Sequence, residues 1–554
     1  MRLDRVRMMT DQARRVPHDF AAKQMRLCFW APLASLAYLW VLFFAQCAHS
    51  WSVLEDYQYG WAAPVLFSWF LCQRWRKRPV PLPPPNASAR LAVAVCLATA
   101  VLICPVRVVL EANPDWRPLL WVLGFAVIGF SLATAYDFGG WPYVRHFAFP
   151  ALFPLSAVPW PGHVEIPVVL TFMKIGAAVA AEVLNACGIV ALQHGNVLQT
   201  TNGYIGVDEA CSGIKSFQTM VLIGLALSEF SGVRGLRRFR LVALGWLVAF
   251  AANWIRITVL AWIAALYGAH ALEACHDAVG TAAFAITGCL LVLWGLRPKP
   301  AAPRPGDPAP AQAAWQRVAA ARGAFALCLG CFLTAELLTV WWYHRGDAAG
   351  SAAERRAPWG VAWSVLGDSA RPVEVSRRVM DGLRCDAGSA FTWHTGDGHL
   401  WMGYSFEWRP GIRAAFARSV HSPELCLPAS GRTLEADLGY RRFESGEVRF
   451  LVKHLVFADR GASLNVFFVV EGSGVLSADE VVTAASAAGR LRTVLRHSNG
   501  ADRHSLELIA TGYDDPVSAW DQATGLLQKL VVRSSLATTP ETGHLAGTGS
   551  VIHP

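Results

Sequence analysis

Apolar runs dominate the first 343 residues, at about 28–47, 58–73, 91–110, 118–136, 147–160, 165–192, 211–230, 240–266, 277–296 and 322–343. Most reach the roughly 20 residues that a helix needs to cross a hydrocarbon core. Hydrocarbon offers no hydrogen-bond partners, so such segments must be helical. Composition agrees: 54% of the 554 residues are hydrophobic and 16% are charged, against roughly 25% charged in a soluble chain. A disordered chain is excluded, being apolar-poor and charge-rich. So is a disulfide scaffold, because 13 Cys are sparse in this length. The first run is not a cleavable signal peptide: seven Lys/Arg precede it and no small-residue cleavage site follows.

The formal charge is +9. Residues 344–554 hold 22 Lys+Arg against 23 Asp+Glu, and residues 1–343 hold 27 against 17. The excess therefore belongs to the apolar part and marks topology, which sets nucleic-acid binding aside. Residues 1–27, the cluster Arg74, Arg76, Lys77, Arg78 and Arg90, the cluster Arg234–Arg240, and Arg297–Arg322 are assigned inside. The loops near Glu55-Asp56, Glu111-Asp115, Asp208-Glu209 and Glu273 are acidic and fall outside. Ten crossings cannot satisfy this pattern, because 231–240 must be inside and 193–210 outside. The stretch 147–160 is short and holds Pro150, Pro154 and Pro159, each of which removes a helical hydrogen bond. The expected fold is a polytopic α-helical membrane protein with about nine crossings, 147–162 being re-entrant or interfacial.

Residues 297–321 read as a Pro/Ala-rich linker on the cytoplasmic side, and 322–343 as the last transmembrane helix. From 344 to 535 the pattern changes to an extracytoplasmic α+β domain. Leu400–Trp408, Arg449–Phe457 and Ser463–Glu471 read as strands, and 476–498 and 516–533 as helices. The tail 536–554 reads as disordered.

Three polar features stand out in the membrane part. Cys211, in Glu209-Ala-Cys-Ser-Gly-Ile-Lys-Ser216, sits at the outer mouth of an apolar run. A helix beginning there would favour its thiolate. Lys215 adds positive potential, and Gly213 permits close backbone approach. A small core cysteine is the plainer reading. Arg256, in Asn253-Trp-Ile-Arg256, lies inside a 27-residue apolar segment. An Arg there is costly unless it faces a cavity or partner, and Asn253 shares its helix face. An Arg capping the carbonyls of a broken helix is the structural alternative. His276 opens the next run in Cys275-His-Asp-Ala-Val-Gly280; taken alone it reads as an ordinary solvated residue. The topology puts all three near one membrane face. Cys with His serves nucleophilic acyl chemistry, and Arg supplies a donor for a developing oxyanion. There is no H-E-x-x-H, paired CxxC, Walker loop or GxGxxG, and no metal or cofactor is indicated.

The stretch Ala210-Cys-Ser-Gly-x-x-Ser216, then Asn253-x-x-Arg256, then His276-x-x-x-Gly280, in that order on successive runs, resembles the exosortase/archaeosortase family of transmembrane cysteine transpeptidases. The Val-Pro-Trp-Pro at 158–161 resembles the family's Pro-rich stretch, and the likeness spans 28–296. It implies that Cys211 is the nucleophile and that Arg256 and His276 are the other catalytic positions. Glu209, Ser212, Gly213, Ser216, Asn253 and Gly280 support them. It also implies a substrate class: exported proteins ending in a short motif (Pro-Glu-Pro in the commonest type), a transmembrane helix and a basic cluster. These would be cleaved through an acyl-thioester and passed to an unknown acceptor nucleophile, at a bacterial inner membrane and in connection with extracellular polysaccharide. His421-Ser-Pro423-Glu-Leu-Cys426-Leu-Pro428, followed by Gly431, resembles the HxPxxCxP signature of the exosortase-associated domain, with Arg432 where that domain usually has Trp. His421 and Cys426 can form a second thiol site, Cys426 can pair with Cys385, or the motif is a structural turn near the membrane. The competing functions are a multi-pass transporter, with Arg256 as a substrate or ion contact, and a non-catalytic polysaccharide-export subunit. Cys275 is a rival nucleophile.

Overall fold

The computed structural model describes residues 30–82, 84–206, 212–295, 312–349, 359–445, 448–459, 462–472, 487–495 and 503–533. The N-terminal 27 residues, the linker up to 311 and the tail 536–554 lie outside them. In the membrane part, the helices are α1 (Trp30–Val53), α2 (Ala62–Arg76), α3 (Asn86–Ala112), α4 (Arg117–Leu152), α5 (Gly162–Ala186), α6 (Ile214–Phe230), α7 (Leu236–Tyr267), α8 (Ala269–Gly295) and α9 (Gln312–Ala349). Among the described residues, seven helices are long and apolar enough to cross a membrane. The chain is thus a polytopic helical membrane protein with a sheet-rich C-terminal region.

The bundle has two chemically different ends. At one, Glu229 of α6 pairs with Arg74 of α2 at 2.6 Å and with Arg238 of α7 at 2.6 Å. Two basic clusters therefore share an end, held by one carboxylate. At the other end, Glu55 pairs with Arg384 at 3.2 Å, and Asp115 takes a bidentate pair from Arg490 at 2.7 and 2.9 Å. The acidic loops at Glu55 and Asp115 face the sheet-rich region.

The path of α4 departs from the sequence expectation. Gly140 has φ 66° and breaks the helix. A Cβ there would lie 2.2 Å from the Leu82 carbonyl oxygen, so only glycine permits this turn. From this basic end the chain returns through 141–152 and a 3-10 turn, Phe153–Ala157. That is roughly 28 Å of rise. At its top, Trp51 and Trp121 donate to the carbonyls of Ala157 and Pro159 at 2.8 and 2.9 Å. Residues 147–160 therefore run from one end of the bundle to the other and do not turn back. Pro142 opens the returning helix and Pro154 opens the 3-10 turn, positions where a missing N–H costs little, whereas Pro150 lies inside the helix.

Helix α5 starts at the acidic end and runs alongside the outer half of α7. Phe172 packs edge-on to Phe250 at 4.8 Å, and Gly176 leaves room for Ile257. A three-stranded antiparallel sheet follows: β1 (Ala191–His194), β2 (Val197–Thr200) and β3 (Gly203–Gly206). Ala191, Leu198 and Ile205 join one apolar cluster with α5, α6 and α7, and Asn202 donates to the Ala265 carbonyl at 2.6 Å.

The sheet-rich region contains β4 (Trp359–Val361), β5 (Arg371–Val373), α10 (Arg377–Leu383), β6 (Ala387–His394), β7 (Leu400–Trp408), α11 (Ile412–Val420), α12 (Pro423–Ala429), β8 (Thr433–Ser445), β9 (Val448–Asp459), β10 (Ala462–Gly472), α13 (Ala487–Leu495), β11 (Arg503–Thr511), α14 (Pro516–Leu530) and β12 (Val531–Arg533). Its main sheet is antiparallel, in the order β5-β6-β7-β11-β10-β9-β8. The three strands expected from sequence are β7, β9 and β10. Helix α14 buries Ala519, Ala523, Leu527 and Leu530, a helical stripe. It ends at Leu530 rather than 533, because Val531–Arg533 pair with β4. Of the helix expected over 476–498, only 487–495 falls among the described residues.

Candidate functional site

The site gathers where α6 begins, α7 passes and α8 begins. Cys211 and Glu209 lie outside the described residues. The adjoining Ser212 is buried, and its Oγ accepts the Ile214 N–H at 3.3 Å. Gly213 then takes a left-handed conformation, φ 81°, and α6 starts at the next residue. A Cβ on Gly213 would lie 2.7 Å from Cγ and Nδ2 of Asn253. Glycine is required there twice, for the backbone and for the close approach of α7.

One turn further along α7, the Arg256 guanidinium reaches α8. Its Nη2 lies 3.2 Å from Nε2 of His276. A Cβ on Gly280 would come within 3.1–3.2 Å of the same guanidinium, so α8 leaves a notch that Arg256 fills. His276 is buried, and its Nδ1 lies 3.0 Å from the solvent-exposed Asp277 carboxylate. An arginine can only donate, so Nε2 must accept and the ring proton sits on Nδ1, toward Asp277. The Nε2 lone pair is thereby turned toward Arg256.

The structure thus joins Arg256 to His276 and Gly280, and Asn253 to Gly213. Ser216 is half-buried on α6 and Lys215 is exposed. Asp277 was missed in the sequence reading, although it stands within the quoted motif; a carboxylate beside a candidate base was the signal. A deeper network was missed too. Tyr57 donates to Glu165, which also pairs with Arg117. The Tyr57 hydroxyl accepts from the Trp160 N–H at 2.8 Å and from Gln218 of α6 at 3.0 Å. This ties the Pro-rich turn 158–161 to the second turn of α6. Its members are scattered over the chain, so no local motif announces them. Among the described residues no group of three or more His, Cys, Asp or Glu is placed to hold a metal ion.

Residues 51–294 match the family model described as transmembrane exosortase, Exosortase_EpsH. That segment belongs to the exosortase family. No curated protein and no solved structure matches the chain. The exosortase segment contains Asn253, Arg256, His276 and Gly280, and it ends before α9 and the sheet-rich region. A peptidase-type enzyme is supported at the level of the family.

The motif of the sheet-rich region has different surroundings. The His421 ring is buried among Phe406, Trp408 and Phe468 at 5.1–6.4 Å. Its Nε2 faces the buried Glu507 carboxyl at 3.5 Å. Burial pushes His421 down to about 4 and Glu507 up to about 7. Pro423 opens α12, Pro428 lies in its last turn, and Cys426 is on its exposed side. Cys385 is a free thiol against Met380, so the Cys426–Cys385 disulfide considered from the sequence is absent. Arg432 closes the turn by bonding Ser430 and Asp459 at 2.7 and 3.3 Å.

Proposed function

We propose that the protein is a membrane-embedded cysteine transpeptidase that cleaves the C-terminal sorting signals of exported proteins. The observation that carries this reading is the 3.2 Å contact between Arg256 and His276, in a segment of exosortase ancestry and one turn from the Asn253–Gly213 contact that anchors the chain two residues after Cys211. The Cys211 thiolate attacks the scissile carbonyl after His276 Nε2 has taken the thiol proton. Arg256 then turns its donors to the tetrahedral oxyanion. The C–N bond breaks, His276 returns the proton to the leaving amine, and an acyl-thioester remains. The amine of an acceptor, or water, resolves it and frees the thiol. Asp277 holds the ring proton on Nδ1 throughout, the orienting role of a third group.

The substrate class is an exported protein ending in a recognition motif, a transmembrane helix and a basic cluster, with the motif of the Pro-Glu-Pro type. Lateral packing of that helix in the bilayer brings the motif to the face of Arg256. A bacterial inner membrane, with the basic end cytoplasmic and the sheet-rich region outside, and service to extracellular polysaccharide follow from the same reading. Nine crossings fit the charge pattern if α5, not 147–162, is the apolar segment that stays on one side.

The test is processing of a tail-containing substrate by Cys211→Ala, Arg256→Ala and His276→Ala. Each is expected to lose activity by at least about 10³-fold while the protein stays folded in the membrane. Processing by Cys211→Ala, with loss in Cys275→Ala, would reject the assignment.

A further inference from the structure

We infer that the turn 421–432 of the sheet-rich region is a positioning clamp on the membrane part, seated on β2 and α5 and acting on the sheet that leads to Cys211. The proposal builds on the transpeptidase reading but stands on contacts that do not depend on it.

The turn has one side bolted to its own domain. Leu427 is buried in a cluster with Leu455, Phe457, Leu464, Val466 and Ile509. Glu424 takes a hydrogen bond from Ser422 at 2.7 Å and pairs with Lys453 of β9. The Gly431 N–H bonds the Pro428 carbonyl and the Arg432 N–H bonds the Leu427 carbonyl, both at 3.1 Å. His421 fills the core behind it. These contacts make the turn rigid.

Its other side meets the membrane part. Helix α12 packs on α5. A Cβ on Gly431 would lie 2.3 Å from Cγ2 and 3.1 Å from Cβ of Val197, and 3.8 Å from the His194 carbonyl oxygen. Gly431 has φ 91°, so it too is glycine for two reasons: the left-handed turn, and a backbone approach that a methyl group would block. Val197 is buried and stands at the start of β2, paired with Gly206 at the end of β3. Gly206 is five residues before Cys211. Contacts therefore run from Gly431 through Val197 to Gly206 at the end of β3.

Two other mounts carry the domain's weight elsewhere. Asn113 donates to the Arg490 carbonyl of α13 at 3.1 Å, Trp342 of α9 donates to the Val494 carbonyl at 2.9 Å, and Arg490 pairs with Asp115. Arg384 holds Glu55. With these in place, the turn 421–432 is not needed to keep the domain attached. Its contact with a short sheet positions that sheet. Gly431 and Val197 are positioning residues, acting through β2 and β3 and touching no substrate.

The experiment uses the full chain in nanodiscs. First, Val197→Cys with Gly431→Cys should cross-link on mild oxidation, since the two Cβ positions are near disulfide range. Second, Gly431→Ala should speed hydrogen exchange in residues 191–206 while leaving β10 and β11 unchanged, and should slow processing about tenfold, the scale of a small misplacement at a reacting centre. Third, adding Val197→Ala should restore processing to within about threefold, by removing the methyl that the new Cβ strikes while leaving the backbone strain untouched. No cross-link, or unchanged exchange and processing in Gly431→Ala, would overturn the clamp. So would failure of Val197→Ala to rescue, because the loss would then be local strain. Cross-linking and exchange need no substrate, so the clamp can hold even if Cys211→Ala remains active and the transpeptidase reading falls.

Discussion

The two histidine motifs place the same ring in opposite settings. His276 stands where three helices meet, between a guanidinium and a solvent-exposed carboxylate. His421 stands in an aromatic core, facing a carboxyl as buried as itself. The first setting fixes which nitrogen carries the proton and turns the other toward the Arg256 guanidinium. The second denies the ring its charge and uses its volume to hold a turn. A His-and-Cys pattern in sequence does not separate these cases, and the packing around the ring does.

The largest expected effect would break the comparison outright. His276→Gln should lower processing by at least about 10³-fold with the fold intact, the scale of a lost catalytic group. His421→Phe should instead keep Cys211 reactive toward a thiol reagent and alter exchange in β7 and β10. Equal losses in processing from both would show that the motifs are not distinct. The notch at Gly280 sharpens the account next. Gly280→Ala puts a methyl against the guanidinium, and processing should fall about 10²-fold as Arg256 is displaced. Removing Arg117 should leave Glu165 buried and unpaired, costing about 3–5 kcal/mol; melting of Arg117→Ala in detergent, with partial recovery in Arg117→Ala/Glu165→Gln, checks this.

The candidate residues were legible because they lie in three short motifs on successive apolar runs, and an Arg at membrane depth is conspicuous. The two ends of the bundle were legible from charge, and Glu229 now binds two of the basic clusters to each other. The path of 147–162 was the hardest to read. Three prolines there suggested a broken, non-crossing segment, whereas Pro154 sits at the start of a 3-10 turn and the kink belongs to Gly140. Helix α5 is as apolar as a membrane span, and one of its faces packs on α7. Composition records that a face is buried and not what buries it. The sheet β1–β3 was missed because four-residue strands fall below what alternation can signal.

A smaller effect concerns pH in the sheet-rich region. Glu507 is raised to about 7 by burial, so its neutral form is favoured in the fold and stability falls as pH rises from the unfolded carboxyl value toward 7. His421 is lowered to about 4 by burial, so its contribution rises with pH up to the unfolded histidine value. Above pH 7 only the Glu507 cost remains, about 3 kcal/mol. Glu507→Gln should therefore be more stable than the parent at pH 8 and closer to it at pH 5, read by hydrogen exchange of β11.

The most direct measurement is mass spectrometry of the full-length protein quenched during turnover of a tail-containing substrate. The account predicts an acyl-thioester on the peptide holding Cys211, accumulating when the acceptor is withheld and absent in Cys211→Ala. An adduct on Cys275, or turnover by Cys211→Ala without any thioester, would contradict it.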